Sequence, residues 1–241
     1  MSRIIISRVP FRISLGGGST DLPTYCNTYG GFIFAATINL YMDVFVKEPR
    51  SDDLFHVHYK RFEAVPAAHE IKHDIVREAL LMHKIKRPIA ISFKADAPAG
   101  TGLGSSGACA VAVHRGIAAF LGRDMTNREA ARQSFILTKR LGLPDGAGDP
   151  YVCAEGGFVA LDIAPDGAIA VRRPRFPQET IERFFGNCLF YFTGMVRRSE
   201  PILRKQEGAR VFELKHKSKE MGYSIYEHFK KGRLDDFGEM L

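Results

Sequence analysis

Hydrophobic and polar residues alternate along several stretches of this chain, as they do in strands that bury one face. The alternation begins in residues 3–15 and recurs around His56 and His58. Residues 31–47 are rich in Phe, Ile, Val and Tyr, which predicts one or two further strands. Short apolar runs predict additional strands at 89–93, 158–163, 168–171 and 188–192.

Other segments repeat their apolar residues with the spacing of a helix. Residues 71–84 have such a pattern and are predicted to form an amphipathic helix. Thr126 followed by Glu129 is a capping-box sequence, and it predicts a helix that runs to about Leu141. The remaining helices are predicted at 19–29, at 108–121 and from 199 onward. Because strands and helices do not alternate regularly, the pattern favours the α+β class.

The chain has 241 residues, which suits one large domain or two small ones. Proline, arginine and polar residues cluster around 172–187, and this composition predicts a boundary there. We expect an N-terminal domain of mixed sheet and helices over residues 1–175. Residues 176–241 are expected to begin a second, incomplete domain, because their apolar helical pattern continues up to Leu241.

The formal net charge of +7 and a pI near 9.3 favour anionic partners, either nucleic acid or phosphorylated small molecules. The basic residues are dispersed and no nucleic-acid-binding motif accompanies them, which favours the small molecules. No run of eighteen apolar residues occurs, so neither a membrane span nor a membrane partner is expected. Four scattered cysteines without a C-x-x-C pair indicate reduced thiols in a cytoplasmic protein. No pattern indicates an oligomeric state.

The segment from Pro98 to Gly107 reads Pro-Ala-Gly-Thr-Gly-Leu-Gly-Ser-Ser-Gly and lies between a predicted strand and a predicted helix. Glycines let the backbone approach a ligand closely, and a helix N-terminus offers unpaired N–H donors and the positive end of a dipole. Together these features predict a phosphate-binding loop. The hydroxyls of Ser105 and Ser106 can add a metal contact or a further hydrogen bond.

Three different interpretations compete with this one. The span from Gly102 to Gly107 fits G-x-G-x-x-G, with Asp124 twenty residues after Gly104. However, residues 94–100 separate the loop from its strand, and Asp124 directly follows the helix, which argues against a dinucleotide site. A Walker A loop is excluded because no lysine follows the glycines. A glycine-rich turn that only packs stays open as the third interpretation.

Two further clusters contain residues suited to phosphoryl transfer: residues 8–21 and residues 146–158. Arg12 can hold a phosphoryl group with its planar guanidinium, and Asp21 can accept hydrogen bonds from sugar hydroxyls. Asp149 can accept the proton of an attacking hydroxyl. Each also has a structural alternative: Arg12 as a solvated strand residue, Asp21 as a helix cap and Asp149 as the start of a turn.

Pro98 and the sequence Gly-Leu-Gly-Ser-Ser at 102–106 resemble the ATP-binding motif of the GHMP kinases, the superfamily of galactose, homoserine, mevalonate and phosphomevalonate kinases. Residues 8–21, Arg-Val-Pro-Phe-Arg-Ile-Ser-Leu-Gly-Gly-Gly-Ser-Thr-Asp, resemble the branch of the D-glycero-D-manno-heptose 7-phosphate kinases. Residues 70–79 and 190–199 are also similar to this branch. The resemblance implies a two-domain GHMP kinase fold and ATP-dependent, Mg²⁺-requiring phosphorylation of the anomeric hydroxyl of a phosphosugar, D-glycero-D-manno-heptose 7-phosphate.

The resemblance also implies a role for each candidate residue. Asp149 would activate the anomeric hydroxyl, Arg12 would stabilise the transferred charge and Ser106 would help to bind Mg²⁺. The residues implied to hold the ATP phosphates are Pro98, Gly100, Gly102, Leu103, Gly104, Ser105, Ser106 and Gly107. Those implied to contact the sugar substrate are Gly17, Gly18, Ser19 and Asp21, with Arg197 and Arg198 at its phosphate.

The chain departs from the family pattern at several positions. Gly148 stands where Gln is usual before the aspartate, Leu137 where a metal-binding Glu is usual, and Gly107 where Ala or Ser is usual. A third, C-terminal glycine-rich motif is missing. These departures favour a different function, that of a sugar or nucleotide sensor without turnover. The residues also leave open a kinase for a different phosphosugar, and a kinase or decarboxylase of the mevalonate branch, against which residues 16–21 argue.

Overall fold

The computed structural model describes residues 3–195 and 209–240. Its strands, in chain order, are β1 (Ile4–Gly16), β2 (Gly31–Lys47), β3 (Phe55–His58), β4 (Phe62–Val65), β5 (Ala90–Ala95), β6 (Phe158–Ile163) and β7 (Ile169–Arg172). Its helices are α1 (Pro23–Tyr29), α2 (Asp74–Met82), α3 (Ser105–Phe120), α4 (Asn127–Arg140), α5 (Gly148–Glu155), α6 (Gln178–Gly186), α7 (Ala209–Lys230) and α8 (Leu234–Glu239). A short 3₁₀ helix covers Ala68–Glu70.

Within the described residues the strands form one seven-stranded sheet, with the order β4-β3-β5-β2-β6-β7 and with β1 paired to β2. β1 runs antiparallel to β2, from Ile4 opposite Lys47 to Gly16 opposite Phe34. β2 is a single long strand that pairs with β6 through residues 31–36 and with β5 through residues 42–47. β3 and β5 are parallel and the other pairs are antiparallel, so the sheet is mixed. The predicted α+β class with a mixed sheet is confirmed.

The two faces of the sheet bury different sets of helices. Successive side chains of a strand point to opposite faces, and β2 uses this alternation directly. Ile33 and Ala35 join the core formed with α2, α3, α4 and α5. Phe32 and Phe34 join the second core, formed with α6, α7 and α8. The helices near the C-terminus therefore pack on the same sheet as the helices of the first core.

α3 is buried on nearly all sides, and small residues make this possible. Its buried positions include Ala108, Ala110 and Ala112. A Cβ atom on Gly116 would lie 2.9 Å from Cγ2 of Val46, so the helix approaches β2 closely. Tight packing fixes the axis of α3 and therefore fixes the position of its N-terminus, where the glycine-rich loop ends.

The strand predicted at 188–192 is wrong. These residues lack regular secondary structure, and Leu189 and Tyr191 are 79% and 76% exposed. An apolar run shows that a segment tends to be buried, but a strand also needs a partner for its backbone hydrogen bonds. None of the strands described here pairs with this segment.

Four elements were absent from the sequence-based expectations: β4, α5, α6 and the short 3₁₀ helix. The start of α5 was compatible with a turn because Pro150 follows Asp149. Pro150 lies in the first turn of α5, where its missing N–H leaves no helical hydrogen bond unmade. The boundary expected between residues 175 and 176 stays a prediction.

Candidate active site

The glycine-rich loop leads directly into the N-terminus of α3. Gly104 is the N-cap residue, with a left-handed φ of 71°, and no side chain caps the helix. The first N–H groups of a helix have no partner within it, so this end of α3 presents unpaired donors and a positive dipole. Gly102 has a φ of 79° and open space around its Cα. The predicted loop thus has the form of an anion cradle.

Side chains of the loop complete this cradle. The hydroxyl of Thr101 donates to the carbonyl of Pro98 at 2.9 Å and closes the first turn, in which Gly100 has a φ of 84°. Ser105 and Ser106 are half-buried, and neither hydroxyl has a hydrogen-bond partner among the described residues. Both hydroxyls are therefore free to bind a ligand.

Arg12 connects β1 to this loop. Its backbone N–H donates to the carbonyl of Leu103 at 3.1 Å, and its Nη1 donates to the carbonyl of Gly102 at 2.8 Å. Gly104 also packs on this side chain, because a Cβ there would lie 3.0 Å from Cγ of Arg12. The solvated position that was an alternative for Arg12 is not observed.

The same guanidinium pairs with Asp149 on α5. Nε and Nη2 of Arg12 lie 2.7 Å and 2.5 Å from Oδ1 of Asp149. Burial alone would lower the pKa of Arg12, but the adjacent carboxylate outweighs it, so the pKa is raised. Arg12 thus holds a fixed positive charge between the loop and Asp149.

α3 and α5 approach each other closely at the loop. A Cβ atom on Gly107 would lie 2.7 Å from Cβ of Asp149 and 2.9 Å from the nitrogen of Pro150. Only hydrogen fits at this position, so Asp149 lies in van der Waals contact with the start of α3. The glycine-rich loop and the candidate base are therefore adjacent.

Asp21 contacts the residues that directly precede Asp149. Its Oδ2 accepts a 2.7 Å hydrogen bond from the N–H of Gly148, and its carboxylate packs against the Cα of Gly146. Burial raises the pKa of Asp21, and the neighbouring Asp149 adds to the rise, whereas the Gly148 N–H and Arg12 oppose it. Asp21 therefore acts at the first turn of α5, while α1 has Leu22 as its N-cap.

The loop at 16–19 lies beneath α7. Gly17 has a φ of 77° and Ser19 a φ of 64°. The hydroxyl of Ser218 on α7 donates to the carbonyl of Gly18 at 3.1 Å. A Cβ on Gly222 would lie 2.6 Å from the nitrogen of Gly17, so the helix rests directly on the loop.

Two residues that hold this loop were missed by sequence reasoning. Thr20 is buried, and its hydroxyl lies 2.8 Å from the carbonyl of Gly17 and 2.7 Å from that of Phe32, so it donates to one of them at a time. Gly222 is the second, and a glycine inside a 22-residue helix was a usable signal, since glycine there costs helix stability.

Most of the predicted site residues lie close together in the described part of the chain. Arg12, Asp21, Asp149 and the loop converge as expected, whereas Arg197 and Arg198 lie outside the described residues. Leu137 is fully buried in the core, and thus no side chain of α4 supplies a carboxylate at that position.

A divalent cation would find few protein ligands here. Among the described residues, no group of three or more His, Cys, Asp or Glu side chains could hold a metal ion. Mg²⁺ often uses one or two protein oxygens, several waters and the phosphates of its substrate. The hydroxyl of Ser106 fits this mode of binding as a single protein oxygen.

Parts of this chain are similar to known proteins. The sequence profile of the family described as GHMP kinases N terminal domain matches residues 53–157. Residues 53–157 therefore resemble a GHMP kinase N-terminal domain and are called the GHMP kinase domain. The GHMP kinase domain includes the loop, α3 and α5, whereas Arg12 and Asp21 precede the matched residues.

Two kinases are also similar to this chain in sequence. D-glycero-alpha-D-manno-heptose 7-phosphate kinase of Campylobacter jejuni is 25% identical over 219 residues, which are 86% of this chain and 64% of the relative. The match thus spans less than two thirds of that relative's length. Mevalonate kinase of Thermococcus gammatolerans is 35% identical over 86 residues, 36% of this chain and 25% of the relative.

Solved structures share the fold beyond the GHMP kinase domain. A D-glycero-D-manno-heptose 1-phosphate kinase from Bacteroides thetaiotaomicron superposes with a TM-score of 0.84 at 23% identity, covering 99% of this chain and 77% of that one. A sugar kinase structure from Campylobacter jejuni gives a TM-score of 0.77 at 22% identity, with 98% and 73% covered. The shared fold therefore includes β1 and α7 as well as the GHMP kinase domain. Among the described residues, no helix has the length and apolar content needed to span a bilayer.

Proposed function

We propose that this chain carries the site of an ATP-dependent sugar kinase that phosphorylates the anomeric hydroxyl of a phosphosugar. The supporting observation is that one side chain, Arg12, joins the phosphate-binding loop to Asp149. Phosphoryl transfer needs positioned phosphates, a fixed positive charge and a base for the attacking hydroxyl. The loop, Arg12 and Asp149 supply these three parts within one contact network.

In the proposed reaction the anomeric oxygen attacks the γ-phosphorus of ATP, and the bond from that phosphorus to the β–γ bridging oxygen breaks. Asp149 takes the proton of the sugar hydroxyl, and ADP leaves with the electron pair of the broken bond. The N–H groups at the start of α3 bind the ATP phosphates, while Arg12 stabilises the charge that develops on the transferred group. Mg²⁺, held by the phosphates and by Ser106, would neutralise phosphate charge.

The proposed substrate is D-glycero-D-manno-heptose 7-phosphate, and the product would be the corresponding 1,7-bisphosphate. Two observations support a sugar phosphate: the similarity to the Campylobacter jejuni heptose 7-phosphate kinase and the net charge of +7. The substrate would contact Gly17, Gly18, Ser19 and Asp21, where a buried carboxylate can orient hydroxyl groups. Arg197 and Arg198 are proposed to contact its phosphate. We also propose residues 1–175 as the ATP-binding domain and 176–241 as the start of the second.

A binding protein without turnover is the second candidate. Leu137 is buried where related kinases use a metal-binding Glu. Gly148 stands where they use Gln, so Asp149 has no side-chain amide at the preceding position. A sensor of this kind would bind ATP or a sugar phosphate and release no ADP.

A coupled ADP-release assay with Mg-ATP separates the two candidates. The panel should contain phosphorylated heptoses, phosphorylated hexoses, mevalonates and the unphosphorylated heptose, with ATP-binding calorimetry in parallel. ADP release with one phosphosugar, lost on adding EDTA, is expected for the kinase. Binding of ATP without ADP release on the whole panel would contradict the kinase and favour the sensor.

A further inference from the structure

Lys139 lies in the last turn of α4, outside every segment assigned to the site above. Its Nζ donates to the backbone carbonyl of Asp145 at 2.6 Å and lies 4.7 Å from the centre of the Phe135 ring. Phe135 is one helical turn earlier, so it supports the aliphatic stem of Lys139. Two contacts thus fix the direction of this side chain.

The carbonyl that Lys139 binds belongs to the segment leading into α5. The next residue, Gly146, packs against the carboxylate of Asp21. Two residues further, the N–H of Gly148 donates to Asp21, and Asp149 follows. Lys139 therefore anchors the start of a five-residue stretch that touches Asp21 and ends at the candidate base.

Charge links Lys139 to Asp21 as well. The charged groups that act most on the pKa of Asp21 are Asp149 of α5 and Arg12 of β1, and the charge of Asp21 in turn acts on Lys139 of α4 and Cys26 of α1. Burial lowers the pKa of Lys139, while Asp145, Asp21 and Cys26 oppose that shift. Burial raises the pKa of Asp21, so a nearby ammonium group favours its ionised form.

We propose that Lys139 is a positioning residue of the kinase site: it anchors the segment that carries Asp149 and whose Gly148 N–H donates to the carboxylate of Asp21. The activity part of this inference rests on the proposed function. The ammonium group does not contact the reacting atoms itself. It acts on them through Asp145, Asp21 and Asp149. A neutral side chain at 139 would loosen this segment and leave Asp21 more easily protonated.

The decisive variant is Lys139→Met, which keeps the stem over Phe135 and removes the donor and the charge. We expect kcat to fall about 10- to 100-fold, because small displacements of a base have effects of that size. The KM for ATP should not change, and the acidic limb of the pH–rate profile should move to higher pH. Lys139→Arg should recover part of the loss. Arg140→Met is the matched control, since Arg140 pairs with Glu78 on α2.

The Asp21 carboxyl provides a second measurement that does not require turnover. The ¹³C signals of the aspartate carboxyl groups are titrated in wild type and variants, with Asp21→Asn identifying the signal of residue 21. Lys139→Met should raise the pKa of Asp21, whereas Arg140→Met should leave it unchanged. Equal pKa values in all three proteins would overturn the inference.

The two proposals fail in different ways. A wild-type protein that releases no ADP contradicts the proposed function, and the carboxyl titration then still decides the role of Lys139. An active wild type whose rate is equally affected by Lys139→Met and Arg140→Met overturns the positioning role alone.

Discussion

Nε of Arg12 donates a 2.7 Å hydrogen bond to Oδ1 of Asp149, joining β1 to α5 across 137 positions of sequence. The same guanidinium donates through Nη1 to the carbonyl of Gly102. A strand, a helix and the loop before α3 are therefore held by one side chain. This geometry keeps the candidate base beside the candidate phosphate site before any ligand binds, which lowers the reorganisation needed for transfer.

Asp149→Asn should remove the base and keep the loop intact. We expect ADP release to fall by a factor of about 10² to 10⁴, the range typical of a lost general base. ATP affinity measured by calorimetry should stay near that of the wild type, because the N–H groups of α3 are unchanged. Asp53→Asn, at an exposed position, is the control. Undiminished ADP release in Asp149→Asn would contradict the assigned role.

Gly107→Ala should damage the contact between α3 and α5. The new Cβ would lie 2.7 Å from Cβ of Asp149, so one helix must move, at a cost of about 1–3 kcal/mol in the free energy of unfolding. Activity should fall too, since Asp149 would be displaced. Gly186→Ala is the control because its Cβ would meet nothing within 4 Å. If denaturant unfolding showed Gly107→Ala as stable as wild type, the close approach would be refuted.

Gly222→Ala should lift α7 from the loop at 16–18. Alanine normally stabilises a helix interior by about 0.5–1 kcal/mol relative to glycine. Here its Cβ would lie 2.6 Å from the nitrogen of Gly17. Because of this clash, we expect the free energy of unfolding to fall by about 1–3 kcal/mol instead of rising. Thermal unfolding and sugar-phosphate affinity would measure the two effects. A higher melting temperature for the variant would show that α7 does not rest on this loop.

A pair of histidines, the buried His114 and the half-buried His83, should make the protein sensitive to acid. Arg123 donates to Nδ1 of His83 at 2.9 Å, so Nε2 of His83 carries the proton and donates to Nδ1 of His114, also at 2.9 Å. Burial lowers the pKa of His83 to about 4 and that of His114 to about 3, and in each case a neighbouring group, Arg123 or His83, adds to the effect. Both rings are therefore neutral in the folded protein at pH 7.

The unfolded chain binds protons on these rings near pH 6.5, whereas the folded protein does so only near pH 4 and pH 3. Their contribution to the free energy of unfolding is thus full above about pH 6.5 and is lost progressively down to about pH 3. His114→Asn should show a smaller difference in urea stability between pH 7 and pH 4.5. His69→Asn, at an exposed position, should keep the wild-type difference. An equal difference in urea stability between pH 7 and pH 4.5 in all three proteins would refute this explanation.

Local patterns were sufficient to predict most elements of the fold. The alternation in residues 3–15 predicted β1, and the capping box of Thr126 and Glu129 at the start of α4 is confirmed. The loop before α3 was recognised because its glycines and the helix that follows are neighbours in sequence. Each of these signals depends on residues a few positions apart, where backbone geometry and side-chain periodicity act directly.

Sequence alone thus determined the class of the fold, the glycine-rich loop before a helix and the residue types suited to phosphoryl transfer. The tertiary structure decided which of these residues meet: Arg12 with Asp149, Asp21 with Gly148, and Gly222 with Gly17. It also decided that residues 148–155 form a helix and that 188–192 do not form a strand. These outcomes depend on contacts between residues far apart in the chain, which no local pattern encodes.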